Sequence, residues 1–434
     1  MLLNAADKAL WRLALPMIFS NITVPLLGLV DTAVIGHLDS PVYLGGVAVG
    51  ATATSFLFML LLFLRMSTTG LTAQAWGAKD PQRLARALVQ PLALALGAGV
   101  LIILLRLPLI DLALHIVGGS EAVLEQARRF LEIRWLSAPA SLANLVLLGW
   151  LLGVQYARAP VILLVVGNLL NIVLDLWLVM GLRMNVQGAA LATVTAEYAT
   201  LIIGLLMAKR VLTLRGVSLA MLKNAWRGDL RRLLALNRDI MLRSLLLQLC
   251  FGALTVFGAR LGSDIVAVNA VLMTMLTFTA YALDGFAYAV EAHSGQAYGA
   301  RDGSQLLEVW RQSGMVALAF ALIYSLAGQY IIALLTSLPS LQQLADRYLI
   351  WQTILPVVGV WCYLLDGMFI GATRGAEMRN SMAVAAAGFA VTLLTLPVLG
   401  NHGLWLALAV FLALRGLSLA LIWRRHWRRG TWFS

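Results

Sequence analysis

Long apolar runs separated by short polar joints set the pattern of this chain, and twelve stretches of about 20 or more mostly apolar residues can be marked along it. They fall at Trp11–Gly36, Leu44–Thr69, Gln90–Ile110, Phe130–Val154, Pro160–Gly181, Gly188–Met207, Ile240–Leu261, Ile265–Glu291, Gln312–Leu335, Tyr348–Gly371, Asn380–Leu399 and Gly403–Trp423. Runs such as 92–105 and 161–174 do not alternate apolar with polar positions, which argues for helices and against the short tilted strands of a membrane barrel. The predicted fold is an all-α integral membrane protein with twelve transmembrane helices, and the joints leave no room for a separate soluble domain. The first apolar stretch is too long for a signal peptide, has almost no basic residues before it and carries no small-residue cleavage pattern, so it is expected to be retained.

Composition agrees: 61% of the 434 residues are hydrophobic and 12% charged, outside the balance of soluble globular chains. The net charge of +12 would suggest nucleic acid for a soluble protein, but its placement explains it better as a topology signal. Joints that share one side hold Lys79, Arg83, Arg86, Arg158, Arg301, Arg374 and Arg379, with the stretch 209–238 and the tail residues Arg424, Arg425, Arg428 and Arg429. The opposite joints hold Arg128, Arg129, Arg183, Arg260 and Arg347. Positive residues favour the cytoplasmic side, which places both termini there and requires an even number of spans.

A duplication organises the twelve spans. Gln74-Ala-Trp-Gly-Ala-Lys-Asp80 follows the second span and Gln296-Ala-Tyr-Gly-Ala-Arg-Asp302 follows the eighth, at an offset of 222. Arg129-Phe-Leu pairs with Arg347-Tyr-Leu, Pro139 with Pro356, and Gly149-x3-Gly153 with Gly367-x3-Gly371 at similar offsets. Six spans per half return the chain to its starting side, so the halves are parallel repeats about an axis along the membrane normal. The expected organisation is an N-lobe at 1–209 (spans 1–6), a basic cytoplasmic linker at 210–238, and a C-lobe at 239–434 (spans 7–12) with a short basic tail.

Ionisable residues inside spans are costly, about 2.5–3.5 kcal/mol each on insertion scales, and mark functional pathways. Those singled out are Asp31, Asp175, Glu197, Asp284, Glu291 and Asp366, with Arg65 and Arg243 as basic counterparts; Arg106, Glu132 and Arg134 lie near span ends and are set aside as able to reach water. Asn168, Asn171 and Asp175 are spaced by three and four residues, which puts two amides and a carboxyl on one helix face. Such a face suits a carboxyl that gains and loses a proton during a transport cycle; a hydrogen-bonded structural cluster is the alternative. Asp31 follows Pro25, which loosens its helix. Thr193 can complete the N-lobe polar patch. Asp366 precedes the second glycine pair, whereas Asp284, Glu291 and Glu197 are equally suited to ion pairs with Arg65 or Arg243.

Other chemistries lack their residues. No lysine follows a glycine, which excludes a phosphate-binding Gly-x4-Gly-Lys loop, and no Gly-x-Ser-x-Gly elbow exists. The five histidines show no metal-ligand spacing, and Cys250 and Cys362 fall in apolar spans where thiols pack as small hydrophobes. The reading is a non-enzyme without metal or cofactor, driven by an ion gradient.

These residues resemble the multidrug and toxic compound extrusion (MATE) transporters, of their DNA-damage-inducible (DinF) type. The resemblance is carried by Val30-Asp31-Thr32, the duplicated Gln-Ala-aromatic-Gly-Ala motifs, Asn171-x3-Asp175 and Gly188-Ala-Ala-Leu-Ala-Thr193, and covers essentially the whole chain. It implies a V-shaped pair of six-helix bundles that exchange H+ or Na+ for amphipathic, often cationic compounds by alternating access. It further implies proton coupling at Asp31 and Asp175 with Asn171 and Thr193 beside them. Asp366 matches the aspartate of members with a C-lobe cation site, although the seventh-span glutamate of those sites has no clear counterpart. The expected function is H+-coupled export of small toxic organic compounds from a monomer in a bacterial inner membrane, with no nucleic-acid partner. Na+-coupled drug antiport and flipping of a lipid-linked precursor are the alternatives.

Overall fold

The computed structural model describes residues 11–19, 34, 35, 38, 40–156, 158–226, 228, 230–327, 330, 343 and 345–433. Among the described residues the protein is helical throughout, and nine helices are long and apolar enough to cross a membrane. Residues 20–33 of the first sequence-predicted span, with Asp31, and most of the end of the ninth lie outside the described residues. Contacts divide the chain into two compact units, Ile22–Leu233 and Met1–Asn21 with Leu234–Ser434. The opening helix α1 (11–19) therefore groups with the second unit, where Trp11 meets Phe286 edge-on at 5.5 Å.

In the first unit, α2 (Pro41–Leu60) and α3 (Phe63–Gly77) form one span with a turn at 61–62. Ser40 caps α2, its hydroxyl accepting from the Val42 N–H with Pro41 supplying the fixed first-turn backbone. Next come α4 (Pro81–Leu104), α5 (Arg106–Val117), α6 (Glu121–Arg134), a 3₁₀ turn at Trp135–Ser137, and α7 (Ala138–Gly153). The third span ends earlier than its apolar run suggests, because the chain turns at Leu105 and starts again as α5. The fourth starts earlier. Its charged segment forms helix because Ser120 caps it and Glu125 pairs with Arg129 one turn on, at 2.9 Å. Arg134 consequently lies inside a 33-residue candidate span, not at its end.

The unit closes with α8 (Arg158–Asp175), which passes into a π-helical turn at Leu176–Gly181, then α9 (Asn185–Leu214) and the short α10 (Leu219–Asn224). The second unit contains α11 (Leu230–Ala259, which begins at the division), α12 (Ser263–Ala300), α13 (Gly303–Leu326), α14 (Leu349–Gly371), α15 (Gly375–Thr392), α16 (Leu396–Leu399) and α17 (Asn401–Arg429).

The duplicated motifs are the same structural device twice. Lys79 and Arg301 both adopt left-handed backbone, with φ of 54° in each. The aspartate that follows each one caps the next helix: Asp80 Oδ1 accepts from the N–H groups of Gln82 and Arg83, and Asp302 Oδ1 from that of Gln305. The motif's aromatic residue packs on the chain leaving each half's last span. The Arg215 guanidinium lies 4.2 Å from the Trp76 ring centroid, and Tyr298 meets Trp432 edge-on at 6.4 Å.

The paired glycines also match. Gly149 and Gly153 of α7 lie against the backbone and threonines of α3, and Gly367 and Gly371 of α14 lie against α12. Small residues let helix backbones approach where lipid gives no hydrophobic drive to associate.

Candidate functional site

The first unit encloses a cavity of about 590 Å³ among α2, α6, α7, α8 and α9. Its walls are mostly apolar, as in pockets that hold small organic molecules, with a few polar groups placed along them. Four of the sequence-predicted residues, Asn168, Asn171, Thr193 and Glu197, line it together.

Asn171 and Asp175 sit on the inner face of α8, at 5% and 1% exposure. Asn171 Nδ2 donates to Thr193 Oγ1 at 3.4 Å, and the Thr193 hydroxyl donates to the Ala189 carbonyl at 3.2 Å. Asn171 Oδ1 is buried and accepts no hydrogen bond from the described residues. Asp175 lies one helical turn further, where α8 gives way to the π turn. Such π segments insert a residue into a helix and recur at functional sites. Close packing holds α8 beside α9: a Cβ on Gly167 would stand 2.8 Å from Thr200 Oγ1, and one on Gly188 would stand 3.1 Å from the Leu178 carbonyl oxygen.

Glu197 does not meet Arg65 or Arg243. Its Oε2 accepts from Asn144 Nδ2 at 3.0 Å, and its main-chain carbonyl accepts from the same amide at 3.1 Å. Arg134 lines the cavity, donates to Ser137 Oγ and lies 5.4 Å from the Phe58 ring centroid. The wall thus carries one guanidinium and one carboxylate. Trp135 Nε1 donates to Thr54 Oγ1 at 3.0 Å, which fixes α2 to the junction between α6 and α7.

The remaining acids lie in the second unit. Asp366 of α14 is paired with two arginines: its Oδ2 accepts from both Arg243 of α11 and Arg415 of α17. Arg243 therefore goes to Asp366 rather than to Asp284 or Glu291. Of those two, Glu291 is 2% exposed and Asp284 half-buried on α12. Asp366 Oδ2 is already engaged by two fixed cations, so this carboxylate is held as an ion-pair partner. Cys250 and Cys362 are buried free thiols.

Comparison with known proteins fixes the lineage. The family model described as MatE matches residues 16–177 and 240–398, one segment in each half. The chain belongs to the MatE family. It is 86% identical over 436 residues to the DNA damage-inducible protein F of Escherichia coli K12, covering 100% of this chain and 95% of that protein. A probable multidrug resistance protein NorM of Acinetobacter baylyi is 23% identical, covering 96% of this chain and 94% of its own. Among solved structures, a MATE protein in the straight conformation superposes with a TM-score of 0.83 at 22% identity, over 98% of this chain and 96% of that one. The protein is thus a multi-pass membrane transporter of the MATE type, with the family's twelve-helix, two-repeat fold.

Sequence reasoning misses three residues of these sites. Arg134 reads as a span-end charge because α6 is too polar to register as membrane helix. Asn144 is a neutral amide in an apolar run, with no partner visible at short range. Arg415 lies well inside the twelfth span, so the insertion-cost argument that marks Arg243 marks it equally. On α12, Phe286 is buried in packing and Met273 borders a separate cavity of about 60 Å³.

Proposed function

We propose that this MATE transporter is a proton-coupled antiporter that exports small amphipathic or cationic toxic compounds by alternating access. It works as a monomer in the bacterial inner membrane with both termini cytoplasmic. The observation that carries the reading is Asp175, buried at the end of α8 one turn from an amide that reaches the wall of an organic-sized cavity. Proton uptake by Asp175, with Asp31 as the second acid, removes a charge beside the cavity. The Asn171 and Thr193 pair rearranges with it, since Asn171 presents a spare acceptor there.

The energy suffices. One charge crossing ~100 mV yields ~2.3 kcal/mol, so ~150 mV with a pH difference of about one unit supplies roughly 5 kcal/mol per proton. That sustains a substrate gradient of about a thousandfold. The balanced charges of Arg134 and Glu197 on the wall favour a neutral or singly cationic organic guest over a polyanionic lipid-linked precursor.

Proton release from protein in proteoliposomes, on addition of a lipophilic cationic dye, tests the reading. Wild type releases protons and Asp175→Asn does not, while its insertion and dye binding persist. Release that survives in both Asp175→Asn and Asp31→Asn overturns N-lobe coupling, and no release from wild type overturns antiport.

A further inference from the structure

The start of α4 carries a second, basic pocket away from the cavity described above. It is a small recess of about 50 Å³ lined by Arg83, Arg86 and Arg232 with Gln90, Leu71 and Pro91 among its walls. The polypeptide around it is fixed by hydrogen bonds. Gln90 Nε2 donates to the Gly228 carbonyl at 2.9 Å and the Trp226 carbonyl at 3.4 Å, drawing the segment after α10 against α4. Gln82 Nε2 donates to the Met221 carbonyl of α10 at 3.4 Å. Arg232 Nη2 donates to Gln74 Oε1 of the duplicated motif at 3.4 Å. Gly228 has φ of +100°, and a Cβ there would stand 3.1 Å from the Arg86 guanidinium carbon, so the backbone lies directly over that side chain.

Three guanidiniums line this recess together. Arg83 and Arg86 form no ion pair among the described residues, and Arg86 Nε is buried without a hydrogen-bond partner there. The acid closest along α4 is Asp80, and its Oδ1 accepts from the backbone N–H groups of Gln82 and Arg83. Like charges held together in a fixed recess are unfavourable unless something anionic joins them, and guanidinium forks match the tetrahedral oxygens of phosphate.

The duplication supplies an internal comparison. At the offset of 222, Arg83, Arg86 and Gln90 correspond to Gln305, Glu308 and Gln312 of α13. In that half Gln312 Nε2 donates to Glu308 Oε1 at 2.8 Å, and Glu308 pairs with Arg311 at 2.6 Å. The glutamine is common to both repeats, whereas the cluster of arginines belongs to the first alone. The repeat architecture therefore does not require Arg83 or Arg86.

Position in the membrane points to the ligand's source. A 24-residue helix is about 36 Å long, about one turn longer than a hydrocarbon core of ~30 Å, so the first turn of α4, with Arg83, lies at headgroup level and Arg86 reaches it by snorkelling. Further along the same helix, Leu96, Val100, Leu101 and Leu104 are exposed, beginning about 15 Å from Arg86, within reach of an acyl chain. We propose that Arg83, Arg86 and Arg232 form a binding site for a phosphate group, presented by an anionic phospholipid headgroup whose chains lie along α4. Basic pockets at the ends of spanning helices recognise such headgroups. The recess holds the phosphate only. Its existence does not depend on the coupling ion or the transport direction proposed above.

Native mass spectrometry of the purified full-length protein tests the site, with phosphatidylglycerol or phosphatidylcholine at equal concentration and inorganic phosphate in a third arm. Wild type retains phosphatidylglycerol in preference to phosphatidylcholine. Arg83→Gln weakens that retention roughly fivefold, and Arg86→Glu, which copies the residue of the other repeat, weakens it more than tenfold. Arg86→Lys keeps the charge, retains most binding and serves if Arg86→Glu fails to fold. Displacement of the lipid by millimolar inorganic phosphate from wild type, absent in Arg83→Gln, supports a phosphate site filled from solution as well as from lipid. Equal phosphatidylglycerol retention by wild type, Arg83→Gln and Arg86→Glu overturns the proposal, as does equal retention of the two lipids by wild type.

Discussion

A Cβ built on Gly149 would fall 2.6 Å from the carbonyl oxygen of Arg65. The two spans meet backbone to backbone, and the glycine pair of the other repeat does the same: a Cβ on Gly371, the counterpart of Gly153, would fall 2.8 Å from the Glu291 carbonyl oxygen and 2.5 Å from Ser294 Oγ. Neither obstacle can be avoided by rotating a flexible side chain, because each includes main chain. Gly149→Ala and Gly371→Ala therefore force their helices apart at a cost of about 1–3 kcal/mol each. Thermal unfolding in detergent should show both melting below wild type. Gly97→Ala, where nothing lies within 4 Å, should melt at or above it; equal behaviour of all three would contradict the close-packing account.

The repeat and its glycines are legible in sequence because they are backbone devices: a left-handed residue, a capping aspartate and a missing side chain each leave a local signature. The Asn168, Asn171 and Asp175 face is legible for a related reason, since helical spacing alone places its members together. Partners across helices are not. Asp366 meets Arg243 and Arg415 over long sequence separations, and nothing local distinguishes that pairing from one between Glu291 and Arg243. Asn144 and Glu197 present the same difficulty. The span limits err where polar residues are helical, as at Glu121–Arg134, since hydropathy registers lipid exposure and not hydrogen-bonded helix.

Asp366 is predicted to act on folding before it acts on transport. Asp366→Asn leaves Arg243 and Arg415 as buried charges without their common counter-ion, a loss of about 3–5 kcal/mol by analogy with broken buried pairs. Arg415→Met leaves Arg243 with Asp366 and is milder. The fraction remaining monodisperse after heating should fall in the order wild type, Arg415→Met, Asp366→Asn. An Asp366→Asn protein as heat-resistant as wild type would refute the structural role.

Glu197 is held by its hydrogen-bonding oxygen as well as by its position on the cavity wall. Gln offers the same acceptor to Asn144 Nδ2, so Glu197→Gln should keep the α7–α9 contact and most dye export. Asn144→Leu leaves the Glu197 carboxylate without its amide donor and should reduce export severalfold, roughly the effect of about 1–2 kcal/mol for a lost hydrogen bond to a charged group. Export assays in proteoliposomes decide between the two roles. Loss of export in Glu197→Gln alone would mean that the carboxylate's charge, not its geometry, is what the cavity needs.

The end of the chain is expected to lock the second unit. Trp432 is 1% exposed, stands edge-on to Phe369 at 5.1 Å, and has the Arg374 guanidinium 5.0 Å from its ring centroid. Arg374 Nη2 also donates to the carbonyls of Thr431 and Trp432, at 3.0 and 2.8 Å, while His426 joins Thr431 to Glu377 through its two ring nitrogens. A tail held by both packing and polar bonds behaves as part of the core. Trp432→Ala should destabilise by about 3–5 kcal/mol, the range for large aromatic truncations in packed interiors. Arg374→Met should free the tail while leaving the ring able to pack. Limited proteolysis of the C-terminus, followed alongside the melting temperature, separates the contributions. Trp432→Ala should lower the melt and expose the tail, and Arg374→Met should chiefly expose the tail. A Trp432→Ala protein that melts with wild type and resists cleavage equally would show that the last residues rest on the unit without holding it.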